Sequence, residues 1–298
     1  MRSLMAALGA IASLGLSLAS AQALNMNFAE NKRESIVYIN LWGKIVPGDD
    51  EKFRQMVLPF VRSGKVIFKV STFSSGGNVQ AAMGIGEQIR TLNAVTAAPL
   101  RMATYVNRNP VLTTNVQCWF WTQVGDDVMN NGPKSIYSRD MRDGNIDSCD
   151  CESACFLIWS SGISREGNFV GIHRYRFDEF YFAGLSPMEA KRMYESSEQE
   201  GRAYLVKRGV PQSIVDRMFA TDSHSMYFLS REDLQLAKST PFLEELTMAR
   251  CGQSKARSYW NGNDHISEED PSFTQCYRGV LKQAMIDGAR EYLSKYGP

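Results

Sequence analysis

The chain has 298 residues, of which 44% are hydrophobic and 22% charged. This composition is typical of a globular protein and excludes a disordered or collagen-like chain. Its 33 Lys and Arg residues nearly balance its 32 Asp and Glu residues. Because a nucleic-acid-binding protein needs a dense basic surface, we expect no nucleic-acid partner.

The N-terminus has the pattern of a secretory signal peptide. Arg2 precedes an apolar stretch from Leu4 to Leu18. Two small-x-small cleavage sites for signal peptidase follow, one ending at Ala21 and one at Ala23. The alternative is an uncleaved membrane anchor, but the stretch is short for a span of about 20 residues. We therefore expect residues 1–23 to be removed, no stable membrane span after processing, and a periplasmic or secreted protein.

An even number of cysteines in an exported protein favours disulfides. The six are Cys118, Cys149, Cys151, Cys155, Cys251 and Cys276. We expect Cys251 and Cys276 to form a disulfide that closes a loop in the polar C-terminal tail. Pairing of the other four stays open: Cys118 with Cys149 or Cys151 is plausible, and Cys155 fits a buried thiol. The C-x-C-x3-C spacing of Cys149, Cys151 and Cys155 matches no usual zinc pattern, so no metal is expected.

Hydrophobic periodicity predicts alternating strands and helices, and therefore an α/β fold. Strands are predicted at Ile36–Leu41, Lys65–Ser71, Leu100–Val106 and Asn168–His173, and helical segments at Asp50–Val61, Val79–Leu92, Ala154–Ser161, Pro187–Arg208, Pro211–Phe219, Leu229–Leu236 and Tyr277–Tyr296. A polar, aperiodic stretch around residues 108–148 is predicted to be an insertion, either a cover over a cleft or a surface excursion. Residues 242–298 are predicted to form a small, mostly helical appendage.

Two residues have the pattern of a hydrolytic centre. Ser153 lies where a turn enters an apolar helix, and His173 ends an apolar strand twenty residues later. Each also has an ordinary explanation, since a serine there can cap the helix and a strand-end histidine can be structural. A nucleophilic serine needs a nearby base and N–H donors for an oxyanion. Gly76 and Gly77 can supply such donors because no Cβ shields their N–H groups. Ala154 can supply another because it lies at the start of the helix, where the helix dipole assists.

These motifs resemble the ClpP-like branch of the ClpP/crotonase superfamily. The matching segments are the strand and turn Val70–Gly77, the helix start Ser153–Ile158, Ser161-Gly162, the strand end Gly171–His173 and the early Gly43–Asp49 segment. More narrowly, they resemble exported bacterial ClpP-like proteins, over about Ile36 to Ala237. The resemblance implies a spiral of β-β-α units over residues 30–241, a peptide or protein substrate, no cofactor, and a possible homo-oligomer.

The resemblance also implies residue roles. Ser153 is then the nucleophile, His173 the general base, and Gly76, Gly77 and Ala154 the oxyanion donors. The family's acidic position, just before an aromatic-Leu-Ser segment, holds Met226 here. Asp222 is the nearest carboxylate and the candidate third member, and a triad without its acid can lose several orders of magnitude in rate.

Three functions therefore remain open from the sequence. The first is an exported ClpP-like serine peptidase. The second is an inactive protein of that fold that acts in the periplasm by binding or assembly. The third is a crotonase-type enzyme acting on an acyl thioester, which the signal peptide disfavours because coenzyme A is not expected outside the cytoplasm.

Overall fold

A computed structural model of the protein describes residues 23–106, 109–120, 135–138, 149–177, 181–261 and 270–297. The expected signal peptide, apart from its last residue, lies outside these ranges. The described elements are, in chain order, β1 (Asn25–Asn31), β2 (Ile36–Trp42), α1 (Asp49–Arg62), β3 (Val66–Phe73), α2 (Val79–Thr91), β4 (Val95–Ala97), β5 (Leu100–Val106), β6 (Asn109–Phe120), β7 (Ser135–Ser138), β8 (Cys151–Glu152), α3 (Ala154–Trp159), β9 (Arg165–Glu166), β10 (Val170–Ile172), α4 (Pro187–Lys207), α5 (Gln212–Ala220), β11 (Tyr227–Phe228), α6 (Arg231–Leu236), α7 (Pro241–Cys251), α8 (Gln253–Trp260) and α9 (Pro271–Tyr296).

The main sheet is mixed and five-stranded, in the order β1-β2-β3-β4-β9. Strands β2, β3, β4 and β9 pair in parallel, and β1 adds an antiparallel edge. In β2, Ile36 to Leu41 are all buried, as expected for a parallel strand that is covered on both faces. The α/β class predicted from the sequence is therefore correct.

A second sheet, in the order β11-β10-β8, continues from the end of β3. Ser74 follows β3 and forms a parallel bridge with Cys151 of β8. Strands β8 and β10 are parallel, with Val170 opposite Cys151 and Gly171 opposite Glu152. The ends of β3, β8 and β10 therefore come side by side.

Strand β5, which precedes the predicted insertion, forms a third, antiparallel sheet with the described part of the insertion, in the order β5-β6-β7. A disulfide between Cys118 and Cys149 ties β6 to the chain just before β8. Residues 121–134 and 139–148, which include most of the predicted insertion, lie outside the described ranges.

The C-terminal helices pack on the rest of the chain through a shared apolar core. Phe273, Leu281 and Met285 of α9 cluster with Tyr38 of β2, and the hydroxyl of Tyr292 donates to Gln88 of α2 at 2.7 Å. A disulfide joins Cys251 to Cys276, with their Cα atoms 5.6 Å apart.

Helix α9 begins at Pro271, six residues before its predicted start at Tyr277. Asp270 caps it by accepting hydrogen bonds from the N–H groups of Ser272 and Phe273, at 3.1 and 3.0 Å. A proline in the first turn after a capping aspartate is a usual start for a helix. The sequence-based start was wrong because it followed only the apolar period.

Three disulfides are formed within the described residues, and they fit an oxidising, extracytoplasmic compartment. None of the helices in the described ranges is both long and apolar enough to cross a membrane.

Candidate active site

The predicted site residues lie at the adjoining ends of β3, β8 and β10. The N–H of Ser74 donates to the carbonyl of Asp150, and the N–H of Glu152 donates to the carbonyl of Ser74 at 2.9 Å. On the other side of β8, the N–H of Ser153 donates to the carbonyl of Gly171 at 3.0 Å. Because the three segments run in parallel, the residues after their last strand positions meet at one edge.

Ser153 lies on a strained turn between β8 and α3. Its backbone has φ 56° and ψ −121°, in the left-handed half of conformational space, which side chains other than glycine rarely adopt. Its side chain makes no capping hydrogen bond to α3. The ordinary explanation of Ser153 as a helix cap is therefore wrong. A strained strand-to-helix turn that exposes a serine is the backbone arrangement of a nucleophile elbow.

The Gly76–Gly77 turn lies directly against Ser153. Both glycines have positive φ, 103° and 141°. A Cβ on Gly76 would come within 2.7 Å of the Ser153 Cβ, and one on Gly77 would come within 2.1 Å of the Ile45 carbonyl oxygen. Only glycine fits at either position, for conformation and for space.

The three predicted oxyanion donors differ in their hydrogen bonding. The N–H of Gly76 already donates to Ser74 Oγ at 3.1 Å, and that hydroxyl donates back to the Gly76 carbonyl. Within the described residues, the N–H groups of Gly77 and Ala154 have no partner. Two of the three donors are therefore free, and Gly76 instead makes room for Ser153.

His173 is nearly buried, with 9% of its surface exposed. Its Nδ1 lies 2.6 Å from the backbone carbonyl oxygen of Arg174. A carbonyl can only accept, so Nδ1 carries the proton and Nε2 keeps a free lone pair. Burial is the largest cause and lowers the pKa of His173, and the charge of Arg176 also lowers it. The hydrogen bond to the Arg174 carbonyl and the charge of Asp222 act in the opposite direction. The net shift favours the neutral form, which is the form that can act as a base.

Asp222 lies near His173 without a hydrogen bond to it. One carboxylate oxygen pairs with the Arg174 guanidinium, and the other accepts from the His224 backbone N–H at 2.9 Å. The hydrogen bonds from His224 lower the pKa of Asp222. The structure therefore orients His173 through the Arg174 carbonyl and gives Asp222 a different set of partners.

The position where the resemblance expects an acid lies on the strand next to His173. Tyr227 of β11 is opposite Ile172 of β10 in an antiparallel register. Continuing that register by one residue places Met226 opposite His173. The Met226 side chain lies over Gly171, close enough that a Cβ there would be 2.7 Å from its sulfur. A thioether at this position cannot accept the strong hydrogen bond that a carboxylate would.

Ser153, His173, Gly76 and Gly77 line one cleft of about 1360 Å³. Aromatic residues form part of its wall: Tyr175, Phe177, Phe182 and Tyr194. Lys44, Arg174, Arg176 and His224 also line it. Ser153 Oγ and His173 form no hydrogen bond within the described residues, and such contacts are often long before substrate binds.

A disulfide between Cys151 and Cys155 closes a short loop around Ser153. Both cysteines are fully buried, and the Thr72 hydroxyl of β3 lies 3.2 Å from the Cys155 sulfur. This pair was not predicted, since Cys155 was expected to be free. The sequence left the disulfide partner of Cys118 open between Cys149 and Cys151, and in the structure it is Cys149.

Among the described residues, no group of three or more His, Cys, Asp or Glu side chains could hold a metal ion.

No family model and no curated protein matches this chain.

Proposed function

We propose that this protein is an exported serine hydrolase of the ClpP-like type, a peptidase that uses Ser153 as nucleophile and His173 as general base. The proposal includes the spiral of β-β-α units that the motif resemblance implies. One observation carries it: Ser153 has a strained backbone and no side-chain capping bond, and it lies in a cleft with His173 and Gly77. The N–H groups of Gly77 and of Ala154, the residue after Ser153, have no partner within the described residues.

The proposed reaction follows from these groups. Ser153 Oγ attacks the peptide carbonyl carbon while Nε2 of His173 takes the hydroxyl proton. The carbonyl π electrons move to oxygen, and the N–H groups of Gly77 and Ala154 bind the resulting oxyanion. The C–N bond then breaks, and His173 returns the proton to the leaving amine.

A water molecule completes the cycle. His173 takes a proton from the water as its oxygen attacks the acyl-serine ester, and the proton then goes to Ser153 Oγ when the C–O bond breaks. The Arg174 carbonyl keeps the histidine ring in the required tautomer throughout. A neutral carbonyl stabilises an imidazolium less than a carboxylate does, so we expect a slow enzyme.

The second candidate function is a non-catalytic binding protein of the same fold. Met226, which occupies the expected acidic position, favours this candidate. The free Gly77 and Ala154 donors and the strained Ser153 favour catalysis, because strain of about 1–3 kcal/mol persists in proteins mainly where a site uses it.

Turnover of a quenched fluorescent peptide mixture tests the proposal. The processed, oxidised protein should cleave peptides, and Ser153→Ala should abolish cleavage. Ser223→Ala is the matched control, because Ser223 lines the same cleft outside the proposed machinery and should keep its activity. Equal cleavage by wild type and Ser153→Ala would contradict the proposal, as would no cleavage by wild type under conditions where it is folded.

A further inference from the structure

The cleft carries positive charge that the proposed chemistry does not use. Lys44 enters it from the segment next to the glycine turn, since Ile45 exchanges hydrogen bonds with Gly76 and Asn78, at 3.0 and 2.9 Å. Arg176, three residues after His173, also lines it. Two cations from separate parts of the chain therefore line the cleft that contains Ser153.

Both cations are exposed, and neither forms an ion pair within the described residues. Arg174 differs, because Asp222 neutralises it. None of the described residues that line the cleft is Asp or Glu. Asp178 and Glu179 lie outside the described ranges.

The charge of Arg176 acts on one of the reacting groups. Arg176 is among the causes that lower the pKa of His173, and Asp222 acts on it in the opposite direction. The full sequence has nearly equal numbers of basic and acidic residues. The positive potential is therefore local to the cleft and does not follow from the net charge of the chain.

We infer that the cleft selects acidic peptides, with a carboxylate placed near the scissile bond by Lys44 and Arg176. This inference rests on the proposed function. A cleft lined by one sign of charge raises the local concentration of oppositely charged substrate and is screened by salt. The carboxylate can come from an Asp or Glu side chain or from a free C-terminus.

Matched peptides test the inference by turnover at pH 8, where His173 is neutral. Quenched fluorescent peptides would share one core and carry Glu, Gln or Lys on either side of it. We expect kcat/KM for the Glu peptide to exceed that for the Gln peptide by about tenfold at low salt, and the ratio to fall as salt rises. Comparing the Gln peptide as free acid and as amide distinguishes the two sources of carboxylate.

Three variants locate the effect. Lys44→Gln and Arg176→Gln should each reduce the Glu-to-Gln ratio about threefold, which is the size expected for one exposed charge pair. Lys282→Gln is the control, because Lys282 is an exposed lysine of α9 outside the cleft and should leave the ratio unchanged. A ratio near one in the wild type, or a preference for the Lys peptide, would overturn the inference while leaving the hydrolase proposal in place.

Binding separates this inference from the hydrolase proposal. Fluorescence anisotropy with Ser153→Ala measures peptide affinity without turnover. Tighter binding of the Glu peptide, lost in the Lys44→Gln/Arg176→Gln double variant, supports the inference even if wild type cleaves nothing. Equal affinity for Glu, Gln and Lys peptides would overturn it.

Discussion

At the scale of single residues, the protonation of His173 governs the proposed chemistry. The base must be neutral, and burial together with the nearby Arg176 charge lowers its pKa from the ordinary value of 6.5. We therefore expect the acidic limb of the rate of Ser153 labelling to be centred below pH 6.5.

Arg176→Gln removes one of the causes that lower this pKa, so the acidic limb should move to higher pH. Pseudo-first-order labelling by a neutral phosphonate across the pH range measures both curves. An acidic limb centred above 6.5 in wild type, or one that moves to lower pH in Arg176→Gln, would contradict this account of His173.

Gly76 offers a sharper test of the contact between the glycine turn and the nucleophile. In Gly76→Ala, the added Cβ meets Ser153 at a positive φ, so we expect a loss of roughly 1–3 kcal/mol in unfolding free energy and loss of labelling at Ser153.

Gly279→Ala is the matched control, because nothing lies within 4 Å of a Cβ at that helical position. It should raise stability by up to about 1 kcal/mol and leave labelling unchanged. Urea unfolding and labelling rates measure both effects. A stable, fully labelled Gly76→Ala protein would show that the turn does not contact Ser153 as described.

The residues of the candidate site differ in how far the sequence could indicate them. Ser153, His173 and the two glycines lie in short local motifs, so the sequence singles them out. The partner of His173 Nδ1 is a backbone carbonyl, which has no side-chain signature. The Ser74 hydroxyl that occupies the Gly76 N–H is likewise defined only by the folded turn.

At the scale of elements, the turn between β8 and α3 is held by the Cys151–Cys155 disulfide. Cys151→Ala/Cys155→Ala should cost about 2 kcal/mol by the chain-entropy relation for a five-residue loop. Because the bridge closes directly around Ser153, labelling should also slow by about tenfold or more, as expected when a reacting group is misplaced.

The C-terminal bridge is the matched control for this effect. Cys251→Ala/Cys276→Ala opens a longer loop and should cost about 3.5 kcal/mol by the same relation. Labelling at a temperature where both proteins are folded should stay near the wild-type rate. Thermal unfolding and labelling distinguish the two. Equal labelling losses in both double variants would contradict a local role for the Cys151–Cys155 bridge.

Local sequence patterns predict the α/β fold class and several elements, but they do not predict the edge strand β1 or the cysteine pairing. Strand β2 and helices α1 and α2 have clear apolar periods, and the structure has them within two residues of the predicted ends. Strand β1 is a mostly polar edge strand that pairs antiparallel with β2, so its pattern depends on its neighbour. Four cysteines allow three pairings, and only distances in the fold choose among them.

At the scale of the whole molecule, the C-terminal segment supports the sheet next to the site. Helix α9 packs so closely on the end of α2 that a Cβ at Gly288 would lie 2.5 Å from the Leu92 carbonyl carbon. Asn93 also donates to the Ala284 carbonyl at 2.9 Å. Phe273 and Leu281 of the tail also share an apolar cluster with Val66 of β3, the strand that leads to the cleft.

Covalent labelling by a fluorophosphonate, mapped by mass spectrometry, determines whether Ser153 and His173 form a hydrolytic centre. We predict an adduct at Ser153 that is lost in Ser153→Ala and nearly lost in His173→Gln. In Asp222→Asn the labelling rate should fall less than about tenfold, because the Arg174 carbonyl, and not Asp222, holds Nδ1 of His173. Removal of the acid from a catalytic triad would instead lower the rate about ten thousandfold. No adduct at Ser153 in the folded, oxidised protein, or equal labelling of wild type and His173→Gln, would contradict the account.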